Sequence, residues 1–140
     1  MKTIEKLLFL QDLEEFRKVS TDHLARLAAV ARHSEVSQGS RLFGKGDQPT
    51  ELILVVYGRV SIESPPGAAR LVHSSSLDIF SVLSQEPHAF SARTHDDCLL
   101  LRVYRKTSEL LQIEHLCRDT DDQHLDIANT DHRGWAEAVL

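Results

Sequence analysis

The side chains best suited to chemistry are scattered rather than gathered. Eight histidines stand in 140 residues, and His73, His88 and His95 lie 15 and 7 positions apart. No His-x-His pair occurs and no Glu follows at ligand spacing, so a structural or catalytic metal is not expected. Asp96 and Asp97 follow His95 directly and offer acid or base groups, but carboxylates are ordinary in a turn before a strand. Cys98 beside His95 makes a formal nucleophile pair. Its apolar run, Cys98-Leu-Leu-Leu-Arg-Val103, raises and shields a thiol instead of activating it. Cys117 shares no metal or disulfide spacing with Cys98. Phosphate-loop, Gly-x-Ser-x-Gly and dinucleotide patterns are all missing. The residues therefore predict no catalytic group, no metal and no cofactor.

The elements that position these groups are mostly strands. Glycines 39, 44, 46 and 58, with Asp47 and Pro49, punctuate two apolar runs as strand, tight turn, strand. Leu52 to Tyr57 is six apolar residues, four of them β-branched or aromatic, which reads as a strand covered on both faces. Further strands are expected at Glu35 to Val36, Arg41 to Phe43, Arg59 to Ser64, Ala69 to His73 and Cys98 to Val103. Ahead of them, Ile4, Leu7, Leu8, Leu10, Leu13 and Phe16 recur at helical steps, as one amphipathic helix or two short ones. Ser20 is placed to cap a second helix from Thr21 to about His33, with Leu24, Leu27, Ala28 and Ala31 on one face. Lys106 to Cys117 carries Leu110, Leu111, Ile113 and Leu116 at helical spacing. The expected class is mainly β with flanking helices (α+β), an antiparallel jelly-roll-like β-barrel with N-terminal helices and a helix after it.

From Gly39 to Val60 the chain resembles the cyclic-nucleotide-binding domain family of catabolite-activator-type regulators, protein kinase A regulatory subunits and cyclic-nucleotide-gated channels. Gly39, Leu42, Phe43, Gly46, Asp47, Leu52, Ile53, Val55, Gly58 and Val60 fall on the family pattern in register. Phe16, Ser20, Leu24 and Leu27 come within a residue of its helical lead-in. The resemblance implies a nucleotide cassette, Gly-Asp-x-Phe-Gly-Glu, then a small helix, then Pro-Arg-Ser/Thr-Ala. In that cassette a guanidinium and helix N–H groups offset desolvation of the cyclic phosphate, and a carboxylate accepts the ribose hydroxyl.

Here the cassette runs Ser76 to Arg93, and Asp78, Phe80 and Pro87 keep their places. Leu77 and Ser81 replace the two glycines, Val82 the carboxylate, His88 the Arg, and Phe90 a small Ala. Between Val82 and Pro87 the chain is about three residues short of the family, close to one helical turn. The family-equivalent pocket is Asp78, Phe80, Ser81, Val82, His88, Ala89, Phe90 and Ser91. A different alignment leaves Glu86 or Arg93 to supply the missing groups. Each charged hydrogen bond lost is worth about 1.5 to 3 kcal/mol, so the two replacements remove on the order of 3 to 6 kcal/mol of nucleotide affinity.

These readings imply a non-catalytic regulatory or interaction module, no longer binding cyclic nucleotide and working through a protein partner or a homodimer. The alternatives are a sensor for a cyclic nucleotide or another small anion in a remodelled pocket and, with less support, a cupin-like metalloprotein. A net charge of −5 offers no global basic field for nucleic acid or an anionic membrane. The N-terminus lacks the apolar length of a signal peptide or membrane span, so a cytoplasmic location is expected. Residues 1–117 form the expected domain. Residues 118–140, with five Asp and one Glu against two Arg, form an acidic tail expected to be marginally ordered.

Overall fold

A computed structural model describes residues 1–112. The expected acidic tail, Cys117 and the last part of the Lys106 to Cys117 helix lie outside these residues. The chain opens with α1 (Thr3–Asp12), a 3₁₀ turn (Glu14–Phe16) and α2 (Thr21–Val30), as its apolar spacing predicts. Ser20 caps α2, its Oγ accepting the His23 N–H at 3.2 Å. The second helix is shorter than expected. It stops at Val30, and Arg32 and His33 pair with Arg102 and Leu101 instead. The polar run from Arg32 takes an edge strand because the strand Cys98–Tyr104 offers it an unpaired ladder.

Among the described residues eight strands follow: β1 (Arg32–Val36), β2 (Arg41–Phe43), β3 (Glu51–Tyr57), β4 (Val60–Glu63), β5 (Ala69–Val72), β6 (Ser76–Leu77), β7 (Ser91–Thr94) and β8 (Cys98–Tyr104), with helix α3 (Ile79–Ser84) between β6 and β7. They form two antiparallel sheets, ordered β1-β8-β3-β6 and β2-β7-β4-β5. The expected fold class is the one found.

The continuous apolar character of β3 now has its cause. Leu52 and Leu54 face the helical layer with Leu10, Leu13, Phe16, Leu24 and Leu27. Ile53 and Val55 face the opposite sheet with Phe43, Val60, Ile62, Phe90 and Ala92. β8 divides likewise, Leu101 and Val103 to the helices, Cys98 and Leu100 to the space between sheets. Each fully buried large aliphatic contributes about 1.5 to 3 kcal/mol, so both faces are needed for a chain of this size. Glu15 ties the 3₁₀ turn to the start of β6 by accepting from the Ser76 N–H and hydroxyl. Gly58 lets β3 turn tightly beside β8: at φ +90 a Cβ would stand 2.6 Å from the Asp97 carbonyl and 2.8 Å from Cys98 Sγ. After β8, residues 108–112 are helical and Leu110 is buried against the helical layer.

Candidate functional site

The end of β6 sets the site. Asp78 takes the left-handed region, φ 56 and ψ 47, and turns the chain into the six-residue α3. That turn carries the Asp78 side chain fully into the interior. Oδ2 accepts the Ala89 N–H at 2.8 Å and lies 3.1 Å from His88 Nδ1, which donates to it. Oδ1 is buried with no hydrogen-bond partner.

His88 is fixed from three directions. Its N–H donates to the Asp47 carbonyl and its own carbonyl accepts the Gly46 N–H, both at 2.9 Å, so the main chain is pinned to the turn after β2. That turn is itself closed by Asp47, whose Oδ2 accepts the Gly44 N–H at 2.8 Å and an Arg41 N–H at 3.0 Å. The imidazole lies flat on Phe43, ring centroids 3.7 Å apart and planes 11° apart. Phe43 meets Phe90 at 5.8 Å in a tilted pair. Asp78, His88, Phe43 and Phe90 thus form one continuous packed line between the sheets, each buried to within 8% exposure or less.

Of the eight sequence-derived pocket residues, Asp78, His88, Ala89 and Phe90 converge. Val82 turns away from them into the helical layer with Leu10 and Leu13. Phe80 is exposed on α3, whereas Ser81 is buried and its carbonyl accepts the Gln85 and Glu86 N–H groups. Ser91 Oγ accepts the Lys45 N–H at 2.9 Å. Glu86 is exposed. Arg93 reaches the Gly39 carbonyl at 2.8 Å from the face of β7 opposite the buried Ala92. Phe43 and Asp47 were legible as positions in a strand and a turn and on the resembled pattern, not as site residues. A ring in a strand carries no sequence signal for the side chain it stacks on.

Two clefts stand out, and the first touches this line. One of about 360 Å³ is lined by Arg41, Phe43, Asp47, Thr50, Glu51, Ile53 and His88, so the imidazole forms part of its wall. The other, about 620 Å³, lies among Tyr57, Arg59, His73, Asp96 and Asp97. In the second, Arg59 Nε and Nη2 hold Asp96 at 2.7 and 3.0 Å, and these hydrogen bonds keep the carboxyl below its ordinary range. Asp97 Oδ1 accepts the Gln38 N–H at 2.8 Å. Cys98 is buried with Sγ 3.3 Å from the carbonyls of Arg59 and Asp96, and desolvation raises its pKa. Among the described residues no three His, Cys, Asp or Glu side chains converge as a metal site would require.

No protein-family model matches the chain, and no curated protein does. Solved structures do. The sensor domain of the transcriptional regulator DNR from Pseudomonas aeruginosa aligns with a TM-score of 0.71 at 17% identity, over 94% of this chain and 92% of that one. The regulatory domain of Toxoplasma gondii protein kinase A with cyclic AMP aligns at 0.69 and 15% identity, covering 86% of this chain and 50% of that one. The regulatory subunit of a cyclic-AMP-independent protein kinase A from Trypanosoma cruzi, bound to guanosine, gives 0.70 and 13%, covering 89% and 46%. The chain thus spans about half the length of these two kinase regulatory proteins. Its fold is that of the cyclic-nucleotide-binding domains. Among the described residues no helix is long and apolar enough to cross a membrane.

Proposed function

We propose that this chain is a non-catalytic regulatory module whose nucleotide position is filled by its own side chains and which acts by contact with a protein partner or a second copy of itself. The observation that carries this reading is the Phe43–His88 stack, closed on one side by Asp78 and on the other by Phe90. A cyclic phosphate entering a barrel interior needs a cation and convergent N–H donors. At the position the resemblance gives to arginine stands a buried imidazole already committed to a carboxyl oxygen, and that oxygen would face the phosphate oxygens unfavourably. Val82, at the ribose-binding position, points into the helical layer and offers no acceptor.

The cleft that opens onto His88 favours a second reading, a sensor for a small molecule in a remodelled pocket. The guanosine-bound neighbour supports it to the extent that one such fold takes a nucleoside in place of a cyclic nucleotide. A thermal-shift panel of cyclic AMP, cyclic GMP and guanosine separates the two, since a ligand of the native state raises the midpoint by mass action. The first reading predicts no shift with any of the three. A saturable shift with one of them establishes the sensor.

A further inference from the structure

We propose that the acidic segment 119–137 of this chain docks on a basic corner of its own domain, formed by Lys6, Arg32, Arg105 and Lys106, as an intramolecular latch. Nothing in it depends on what the interior between the sheets holds.

Charge is divided unevenly along the chain. Of 16 Lys and Arg and 21 Asp and Glu, two and seven fall after Gln112, which leaves fourteen of each in residues 1–112. The whole net charge of −5 therefore belongs to the last 28 residues.

Residues 1–112 are neutral in sum but not in distribution. β1 is the edge strand of its sheet, and its first residue, Arg32, stands directly opposite Arg102 on β8. Like charges so placed repel. Arg102 has its counter-charge in Glu51, Oε2 lying 2.7 Å from Nη1. Arg32 has none among the described residues, and its guanidinium lies over the exposed Tyr104 ring, 4.7 Å from the centroid. Glu35 is on the other face of β1, an odd number of residues away. Lys6 reaches the same spot from α1, its Nζ donating to the Ala31 carbonyl at 2.7 Å. Arg105 and Lys106 follow Tyr104 in the turn that ends β8. Glu5 and Glu109, the carboxylates nearest along the chain to Lys6 and Lys106, accept from the Lys2 N–H and the Ser108 hydroxyl instead. Among the described residues, then, four neighbouring cations meet no carboxylate.

The course of the chain selects the occupant. Gln112 is six residues from Lys106 and Asp119 thirteen, so at about 3.3 to 3.6 Å per extended residue the acidic run starts within reach of the corner. Tethering presents it there at an effective concentration on the order of 1 mM, and a contact of millimolar intrinsic affinity is then closed about half the time. A second copy at about 1 μM is at a disadvantage of about a thousandfold for the same contact.

Tyr104 stands in the corner and Trp135, the one tryptophan, in the segment, so tyrosine-sensitised tryptophan emission of the full chain reports the latch. The sensitised emission is expected in about 10 mM NaCl and should fall about twofold or more in about 1 M, where the screening length drops from about 30 Å to about 3 Å. Tyr104→Phe should remove it, whereas Tyr57→Phe, at the other end of β3, should not. Arg32→Ser/Lys106→Ser should lower it at low salt as far as high salt does. Arg70→Ser/Arg93→Ser removes as much charge from the second sheet and should leave it unchanged. Circular dichroism checks that each variant folds. Should Arg32→Ser/Lys106→Ser not fold, Asp119→Asn/Asp121→Asn/Asp122→Asn alters no residue of the described domain and should give the same loss. The latch is overturned if the transfer is absent at low salt, if it survives the charge variants, or if the second-sheet variant loses as much. Transfer that disappears on dilution from about 100 μM to about 1 μM gives the corner to a second copy and overturns the intramolecular occupant.

Discussion

Replacing Asp78 separates what its shape does from what its acceptors do. In Asp78→Ala the Ala89 N–H and the His88 Nδ1–H, at 2.8 and 3.1 Å from Oδ2, lose their acceptor inside the protein. Each buried unmatched donor costs about 1 to 3 kcal/mol, which gives about 2 to 6 kcal/mol for the pair. The backbone adds to this. Alanine at φ 56 carries the left-handed penalty of about 1 kcal/mol that Asp and Asn largely escape. Asp78→Asn keeps an oxygen where Oδ2 stands and exchanges one unpartnered buried atom for another, so its cost should stay within about 1.5 kcal/mol. Urea denaturation followed by tryptophan-independent circular dichroism measures both. With a slope of about 1 to 3 kcal/mol/M, the alanine midpoint should fall by roughly 1 M or more while the asparagine midpoint moves far less. Equal losses in the two variants would refute the assignment of Asp78 Oδ2 as the acceptor that holds residues 88 and 89.

Other outcomes follow from the same geometry. Gly58→Ala should cost about 2 to 4 kcal/mol in urea denaturation, since its Cβ meets the Asp97 carbonyl at 2.6 Å and φ is +90; a loss under about 0.5 kcal/mol would show the turn relaxes freely. Phe90→Ala, truncating a ring 1% exposed between the sheets, should cost about 3 to 5 kcal/mol, checked in the same way. The raised pKa of Cys98 means the native state holds the thiol proton more tightly than the unfolded chain. Its contribution to stability is full below the thiol's ordinary value of 9.0 and is lost as pH rises through the native value, and native-state alkylation should be far slower than in denaturant. Asp96 behaves oppositely. Held low by Arg59, it contributes above the usual carboxylate range, near 3.9, and the contribution is lost as pH falls through its native value; carboxyl NMR should show Arg59→Gln returning Asp96 towards that range.

Much of this architecture was legible because burial leaves periodic traces. The unbroken apolar run of β3 follows from being covered on both faces, and the Ser20 cap follows from the free N–H groups of α2. β7 left no such trace. Ser91-Ala-Arg-Thr94 has no large apolar residue, yet Ala92 and Thr94 are each 2% exposed because Phe43, Val60 and Ile62 supply the bulk around them. α2 was read three residues too long since Arg32 and His33 are acceptable in a helix and only a distant partner, β8, recruits them to a strand. At the site, residue order located Asp78, His88 and Phe90. It did not give direction: Val82 sits in the cassette by position and in the helical layer by orientation, because one turn of α3 carries it to the far side. The stack of His88 on Phe43 joins residues 45 positions apart, and no spacing rule encodes it.

The filled interior is tested most directly by calorimetric titration of the unaltered protein with cyclic AMP and cyclic GMP at neutral pH. No saturable heat is predicted at up to about 1 mM nucleotide, a ceiling corresponding to roughly −4 kcal/mol of binding free energy. A dissociation constant under about 10 μM for either nucleotide, near −7 kcal/mol, would contradict a nucleotide position occupied by Phe43, His88 and Phe90.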